Sequence, residues 1–237
     1  MPMTGRVARW LGRSPIAIAL AIGLSACGGG GGTTTVTVTV TVPRPTTQAR
    51  VYLLRDGKVA PVSRFVSAPS RAALLQALAA GPTAQERRAG LTSAFPSGPD
   101  SRARLAQLVY TLTQQDPAGA VSYGGRRYTR ADFEDETPAI LVESPLPFQA
   151  VRSPLHASGT ANTFEATFEY ELRDAAGEVL ATHVVTATSG SGIRGTFAFT
   201  ARFAVAKAEP GTLVVYERSA KDGSRIHVVD IPLRLLA

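Results

Sequence analysis

The sequence predicts a mainly β protein, in which a C-terminal β-sandwich follows a small α+β unit. Three observations carry this. Residues 139–237 are a succession of alternating apolar and polar runs separated by turn dipeptides. Residues 50–136 mix strand-like runs with segments of helical spacing. Hydrophobic residues make up 44% of the 237, enough for a packed core and too many for wholesale disorder.

The chain begins with an export pattern. Met1 to Arg13 carries Arg6, Arg9 and Arg13 and no acid. Pro15 to Leu24 is apolar but well short of the ~20 residues that span a membrane. Small Ser25 and Ala26 come next, so residues 1–26 are expected to be a signal peptide. Leu24-Ser25-Ala26-Cys27 resembles the bacterial lipobox. That resemblance implies that Cys27 receives a diacylglyceryl group and becomes the first mature residue. The alternative is an ordinary signal peptide with a chance cysteine. Two or three palmitate-like acyl chains, at ~0.8 kcal/mol per buried CH₂, hold a protein stably on a membrane. Cys27 is the only cysteine, so no disulfide forms within the chain.

Residues 27–49 read as a tether. Gly28 to Gly32 is all glycine, and Thr33 to Val42 alternates Thr and Val before Pro43 and Pro45. The alternation suits a strand, but the lack of large apolar groups favours an extended stalk. Fully extended, the segment would reach roughly 75 Å at ~3.3 Å per residue.

In the α+β unit, Val51-Tyr52-Leu53-Leu54 predicts a strand, Asp56-Gly57 its turn, and Val59 to Val62 the return. Ser70 is placed to cap a helix through Ala80, which Gly81-Pro82 ends. Thr83-Ala-Gln-Glu86 is a capping box for a short helix closing near Gly90. Asp100 is placed to cap a third helix, whose stripe is Leu105, Leu108, Val109 and Leu112. Ala120 to Tyr123, Gly124-Gly125 and Arg126 to Tyr128 predict a hairpin.

The second half predicts about seven strands and no long helix. Ala139 to Val142 leads to a corner at Pro145 and Pro147. Phe164, Ala166, Phe168, Tyr170 and Leu172 alternate with polar residues, and Phe197 to Val205 alternates again. Turns are expected at Ala176-Gly177, Pro210-Gly211 and Asp222-Gly223, before a last strand from Ile226 to Leu235. Strands at this spacing close most naturally as an immunoglobulin-like sandwich.

Two family resemblances rest on these residues. The runs VYLLRDGKVAPVSR, LAAGPTAQERRAGLTSAFP and ARLAQLVYTLTQ resemble the GerMN domain of spore germination and sporulation lipoproteins. Only Ser97 to Asp100 stands where that family has a strand hairpin, so the resemblance implies a shortened domain over 50–136. Val142-Glu-Ser-Pro145, Ser158-Gly-Thr-Ala-Asn162, Phe164-Glu-Ala-Thr-Phe168, Arg194-Gly-Thr-Phe197 and Gly211-Thr-Leu-Val-Val-Tyr-Glu217 resemble the immunoglobulin-like domain of bacterial spore germination, over nearly all of 139–237. The resemblance implies a non-catalytic role in interactions at the cell envelope.

Patterns that suggest catalysis or metal binding have plainer readings. Gly190-Ser-Gly-Ile-Arg-Gly195 matches a dinucleotide pattern, but a strand comes after it where that chemistry needs a helix. His156, His183 and His227 fall on separate elements without metal-ligand spacing. Asp132, Glu134, Asp135 and Glu136 suit either calcium or a solvated linker, the linker being favoured. Residues 44–138 carry 13 basic and 8 acidic side chains, a mild excess that suits anionic wall polymers or headgroups better than nucleic acid.

The expected function is a lipid-anchored, non-catalytic interaction module on the extracytoplasmic face of the cell membrane. Its partners are the membrane, through Cys27, and an envelope protein or wall glycan, with no cofactor. The alternative is a structural part of a membrane-associated assembly.

Overall fold

The computed structural model describes residues 46–95 and 101–237, with the backbone of two short paired strands, Ala19–Leu20 and Val38–Thr39. Cys27, most of the segments expected to be signal peptide and tether, and the Ser97–Asp100 junction lie outside the described residues. Two compact units are distinguished, Met1–Pro45 and Thr46–Ala237. The second contains both modules expected from the sequence.

Strands β1 (Thr47–Arg55) and β2 (Lys58–Val66) form an antiparallel hairpin. Its turn is Asp56-Gly57, with φ of 51° and 77°; a two-residue turn of this hand requires positive φ, which Gly and Asp adopt most readily. Helix α1 (Arg71–Ala79) starts where Ser70 Oγ accepts from Ala73 N. Helix α2 (Ala84–Arg88) has the expected capping box, Thr83 with Glu86. Helix α3 (Arg102–Leu112) is capped by Ser101, one residue after the expected Asp100. Its buried face centres on Ala106, Gln107, Val109 and Tyr110, while Leu105 and Leu112 are only partly buried. Hairpin β3–β4 (Val121–Tyr123, Arg126–Tyr128) comes next, then two 3₁₀ turns over Arg130–Glu136 that sequence periodicity does not announce.

Strand β1 is buried on both faces. Val51 and Leu53 pack with Val62, Leu78 and Leu91, whereas Tyr52 and Leu54 pack with Ala106, Val109 and Tyr110. A strand covered on both sides has a continuous apolar run rather than an alternating one.

The sandwich comprises β5 (Ile140–Ser144), β6 (Ala150–Val151), β7 (Leu155–Ala161), β8 (Thr167–Arg173), β9 (Val179–Thr186), β10 (Gly195–Ala201), β11 (Glu209–Arg218) and β12 (Arg225–Leu235). One sheet has the order β9-β8-β11-β12-β6, the other β10-β7-β5. The phenylalanine cluster fills the space between them: Phe168 meets Phe197 edge-on at 4.8 Å, and Tyr170 stacks on Phe199 at 4.3 Å. Three expectations are corrected. Phe164 does not continue the alternation of β8. It sits in a 3₁₀ turn with Glu165 and Ala166 at positive φ, and is 54% exposed. Pro210-Gly211 is not a turn but part of β11, pairing with Arg234 and Leu233. Phe203 and Val205 lie beyond the end of β10, though Phe203 still packs on the core.

The two modules share β5. Its pleat sends Ile140 and Val142 into the sandwich core and Leu141 into the α+β core. Glu143, on the same side as Leu141, therefore also faces the α+β module.

Candidate functional site

The seam along β5 gathers one cluster of buried polar side chains. Glu143 is 8% exposed, and a carboxylate so buried requires partners. Tyr52 donates its hydroxyl to Glu143 Oε1. Arg130 Nη1 donates to the same oxygen at 2.9 Å, and Arg50 Nη1 lies 3.5 Å from it. Arg130 also donates to Thr113 Oγ1 at 2.9 Å, while its guanidinium stands over the rings of Tyr110 and Tyr52 at 4.6 and 5.2 Å. Burial, and after it the Glu143 carboxylate, holds the Tyr52 phenol protonated well above its usual range. Burial alone would lower the Arg130 pKa; Tyr52 and Glu143 more than offset it. The cluster joins β1, α3 and β5. It holds the modules together and offers no group poised to react.

A second joint absorbs the acidic run. Glu134 takes a bidentate contact from Arg194 at 2.9 Å and a hydrogen bond from Asn162 at 2.8 Å. Glu136 pairs with Arg102 at 2.8 Å, and Asp132 accepts from Thr129 N at 2.8 Å. The run is therefore not the solvated linker that the sequence suggests. Among the described residues no three His, Cys, Asp or Glu side chains gather to hold a metal ion. The histidines are spread over β7, β9 and β12: His156 meets Thr200 at 3.2 Å and His227 meets Glu217 at 2.8 Å. The Gly190–Gly195 loop joins β9 to β10 directly, with no helix after it.

On the outer face of the larger sheet, Tyr216 is flanked by Arg225 and Arg218 at 4.0 and 5.1 Å and donates to Glu169 at 2.6 Å. Burial and the hydrogen bond to Glu169 raise its pKa to about 12. This network is closed on itself.

Two concavities open along the seam. One, of about 210 Å³, is apolar, floored by Leu141, Ile140, Val59 and Ile231. Its cations are already engaged: Arg55 Nη1 donates across the seam to Asp230 O at 2.7 Å, and Lys58 donates within the α+β module to Asp135 O at 2.6 Å. The other, of about 550 Å³, is polar, lined by Gln48, Arg50, Gln114, Gln115, Ser144 and Gln149 among others. Here polar groups are left over. Gln114 is 5% exposed, and its Nε2 has no partner among the described residues, while its Oε1 accepts from Arg50 N at 2.5 Å. Gln149 Oε1 accepts from Leu146 N at 3.0 Å, which also leaves an amide NH₂. A buried donor without an acceptor costs about 1–3 kcal/mol, and Gln114 Nε2, closed off from solvent, carries that cost.

Sequence reasoning does not find this groove. Its walls come from β1, the end of α3 and the corner after β5, which only folding brings together. The available signals are the polar Glu143 next to the apolar run Ile140–Val142, and the Gln114-Gln115 pair at the end of the α3 stripe.

No curated protein matches the chain. Residues 139–224 match the family model of the immunoglobulin-like domain of bacterial spore germination. The match covers β5 to the turn before β12, the residues that build most of both sheets of the sandwich. The C-terminal module of this chain is thus similar, over residues 139–224, to the immunoglobulin-like domain of bacterial spore germination.

Proposed function

We propose that the chain is a non-catalytic binding module of the bacterial cell envelope, exported by residues 1–26 and held on the outer face of the membrane by lipid on Cys27. The observation that carries this reading is the family match of residues 139–224, joined to an export pattern and a lone cysteine at the position that lipidation needs. In this reading the segment 27–49 is the leash, and residues 50–136 are a shortened GerMN-like module. The β5 seam fixes that module to the sandwich, so that the two present one surface. A structural place in a membrane-associated assembly is the second reading. It is favoured by strand β9, which pairs only with β8 and exposes Val184 and Val179 at the edge of its sheet.

Labelling of the expressed protein with a radioactive or clickable fatty acid tests the anchor. Label is expected on the wild type and is expected to vanish in Cys27→Ala. An unlabelled wild type, or one recovered in the cytosol with its amino terminus intact, overturns the anchored reading. Crosslinking and recovery from intact envelopes tests the binding role, with a specific envelope partner as the expected result.

A further inference from the structure

The free edge of the larger sheet deepens the assembly reading, on which the inference rests, by naming a partner. We infer that β9 pairs antiparallel with β9 of a second copy of this chain, about a two-fold axis at His183, so that the two larger sheets become one.

The ladder with β8 fixes which groups are left over. Thr167 stands opposite Thr186, and Ala187 N donates to Ala166 O at 2.8 Å just outside that pair. Thr186 is therefore a non-bonded position toward β8, and so are Val184 and Thr182. Their N–H and C=O groups point away from β8, and no described strand lies beyond them. Edge strands are ordinarily guarded by charge, proline, a covering element or short length. β5 is covered by the α+β module, and β6 is two residues long. The start of β10 is taken by Thr188, whose N donates to Thr196 O at 2.9 Å. β9 reads VLATHVVT, with no charge, proline or glycine, and Val184 on it is 55% exposed. A second copy fits this edge because the edge complements itself. Regular pairing is bounded by the bulge beside Val179 and by the departure of Thr188 toward β10. The register that overlaps Leu180–Thr186 fully with itself is centred on His183. It sets Thr182 against Val184 of the second copy and Val184 against its Thr182, each pair exchanging both backbone hydrogen bonds. The charges permit the approach. Glu178 of each copy falls at the opposite end of the joint from the other. Glu169 and Glu171 on β8 are held by Arg218, Arg173 and Arg225, and would lie three strand spacings, ~14 Å, from those of the second copy, beyond the ~8 Å screening length. An interface of one strand edge is small, so the dimer is expected to be weak, with a dissociation constant on the order of 0.1 mM.

The test is sedimentation of the full chain carrying Cys27→Ala at protein concentrations from about 0.01 to 1 mM, across which a monomer–dimer equilibrium is expected. Val184→Pro removes an N–H that bonds nothing within the fold and sets a ring in the path of the second copy. Thr182→Lys puts a charge on the same edge. Each is expected to weaken dimerisation at least about tenfold with the circular dichroism of the monomer unchanged. Should Val184→Pro fail to fold, Thr182→Lys decides. The Cys27→Ala chain has no other cysteine, so a single new one reports the register. His183→Cys would face its own copy across a non-bonded pair, with Cα atoms about 4.5 Å apart, and is expected to form a disulfide dimer on mild oxidation. Val184→Cys would stand about 9 Å from its copy, too far to bridge, and is expected to stay monomeric on reducing-free gels. A monomer throughout the concentration range, self-association unmoved by both edge variants, or faster crosslinking of Val184→Cys than of His183→Cys overturns the proposal. A monomer that is still recovered in an envelope complex overturns the self-pairing and leaves the assembly reading in place. A dimer that responds to the edge variants while the wild type takes up no lipid supports the pairing and removes only the anchor.

Discussion

Replacing Arg130 by methionine tests whether the β5 seam is what makes residues 46–237 one unit. Methionine keeps an apolar stem against the rings of Tyr52 and Tyr110 but removes the cation that lies 2.9 Å from Glu143. It also strips the donor from Thr113 Oγ1. Breaking a buried ion pair from one side costs about 3–5 kcal/mol, because the remaining charge stays buried. Arg50, 3.5 Å from Glu143 and partly exposed, takes up some of the loss, which places the expected cost near ~3 kcal/mol. For a unit of this size each kcal/mol moves the thermal midpoint by about 2–4 °C, so a fall of roughly 6–12 °C is expected. The assay is thermal and urea unfolding followed by far-ultraviolet circular dichroism. Glu143→Gln in the same background removes the stranded charge, and the double variant is expected to be more stable than Arg130→Met alone. A shift below about 2 °C, or strict additivity of the two changes, would refute the view that Glu143 depends on Arg130.

Three further outcomes are expected from the same geometry. Burial raises the Glu86 pKa, but hydrogen bonds from Arg64 and from Thr83 N more than offset this and hold it below the ordinary 4.5. A lowered carboxylate contributes stability above its unfolded pKa and loses it as pH falls through the folded value. Urea unfolding of the wild type is therefore expected to weaken more steeply below pH 4.5 than that of Glu86→Gln; parallel curves would contradict this. Gly159→Ala would place a methyl 2.0 Å from Leu141 O and 2.9 Å from Phe197 Cζ, and is expected to cost about 3 kcal/mol in chemical denaturation, against no change if β5 and β7 can spread. Thr83→Ala removes the side-chain oxygen that caps α2 and is expected to cost about 1 kcal/mol by the same measurement.

How much of the fold is legible in the sequence depends on what each element needs. Local chemistry is readable. The Asp56-Gly57 turn, the Ser70 cap, the Thr83–Glu86 capping box and the alternation of β8 each depend on a few neighbouring residues, and each is found. The errors occur where tertiary contacts overrule the local pattern. Pro210 and Gly211 look like a turn, yet β12 and Leu235 draw them into a strand, Leu235 packing where a Gly211 Cβ would stand. Phe164 fits an alternating pattern, but Glu217 Oε1 accepts its N–H at 2.7 Å in the 3₁₀ turn ahead of β8. The candidate groove is invisible for a simpler reason. Gln48, Gln114 and Gln149 are far apart in the chain, and none differs in sequence from an ordinary surface glutamine.

The arginine content changes meaning once the partners are seen. Mild basicity by itself suggests attraction to anionic polymers, and the excess of Arg over Lys suggests only codon usage. Yet Arg50 and Arg130 hold Glu143, Arg64 holds Glu86, Arg102 holds Glu136, and Arg194 holds Glu134. On the outer sheet Arg173, Arg218 and Arg225 hold Glu169 and Glu171. Lysine, a point charge on a flexible stem, cannot make the two-pronged contacts of Arg64 with Glu86 or Arg194 with Glu134. A chain without a second cysteine has no covalent staple between its modules. Planar guanidinium groups, most of them half-buried and bridging distant segments, supply geometric specificity in its place. Charge spent internally in this way exerts little field outside.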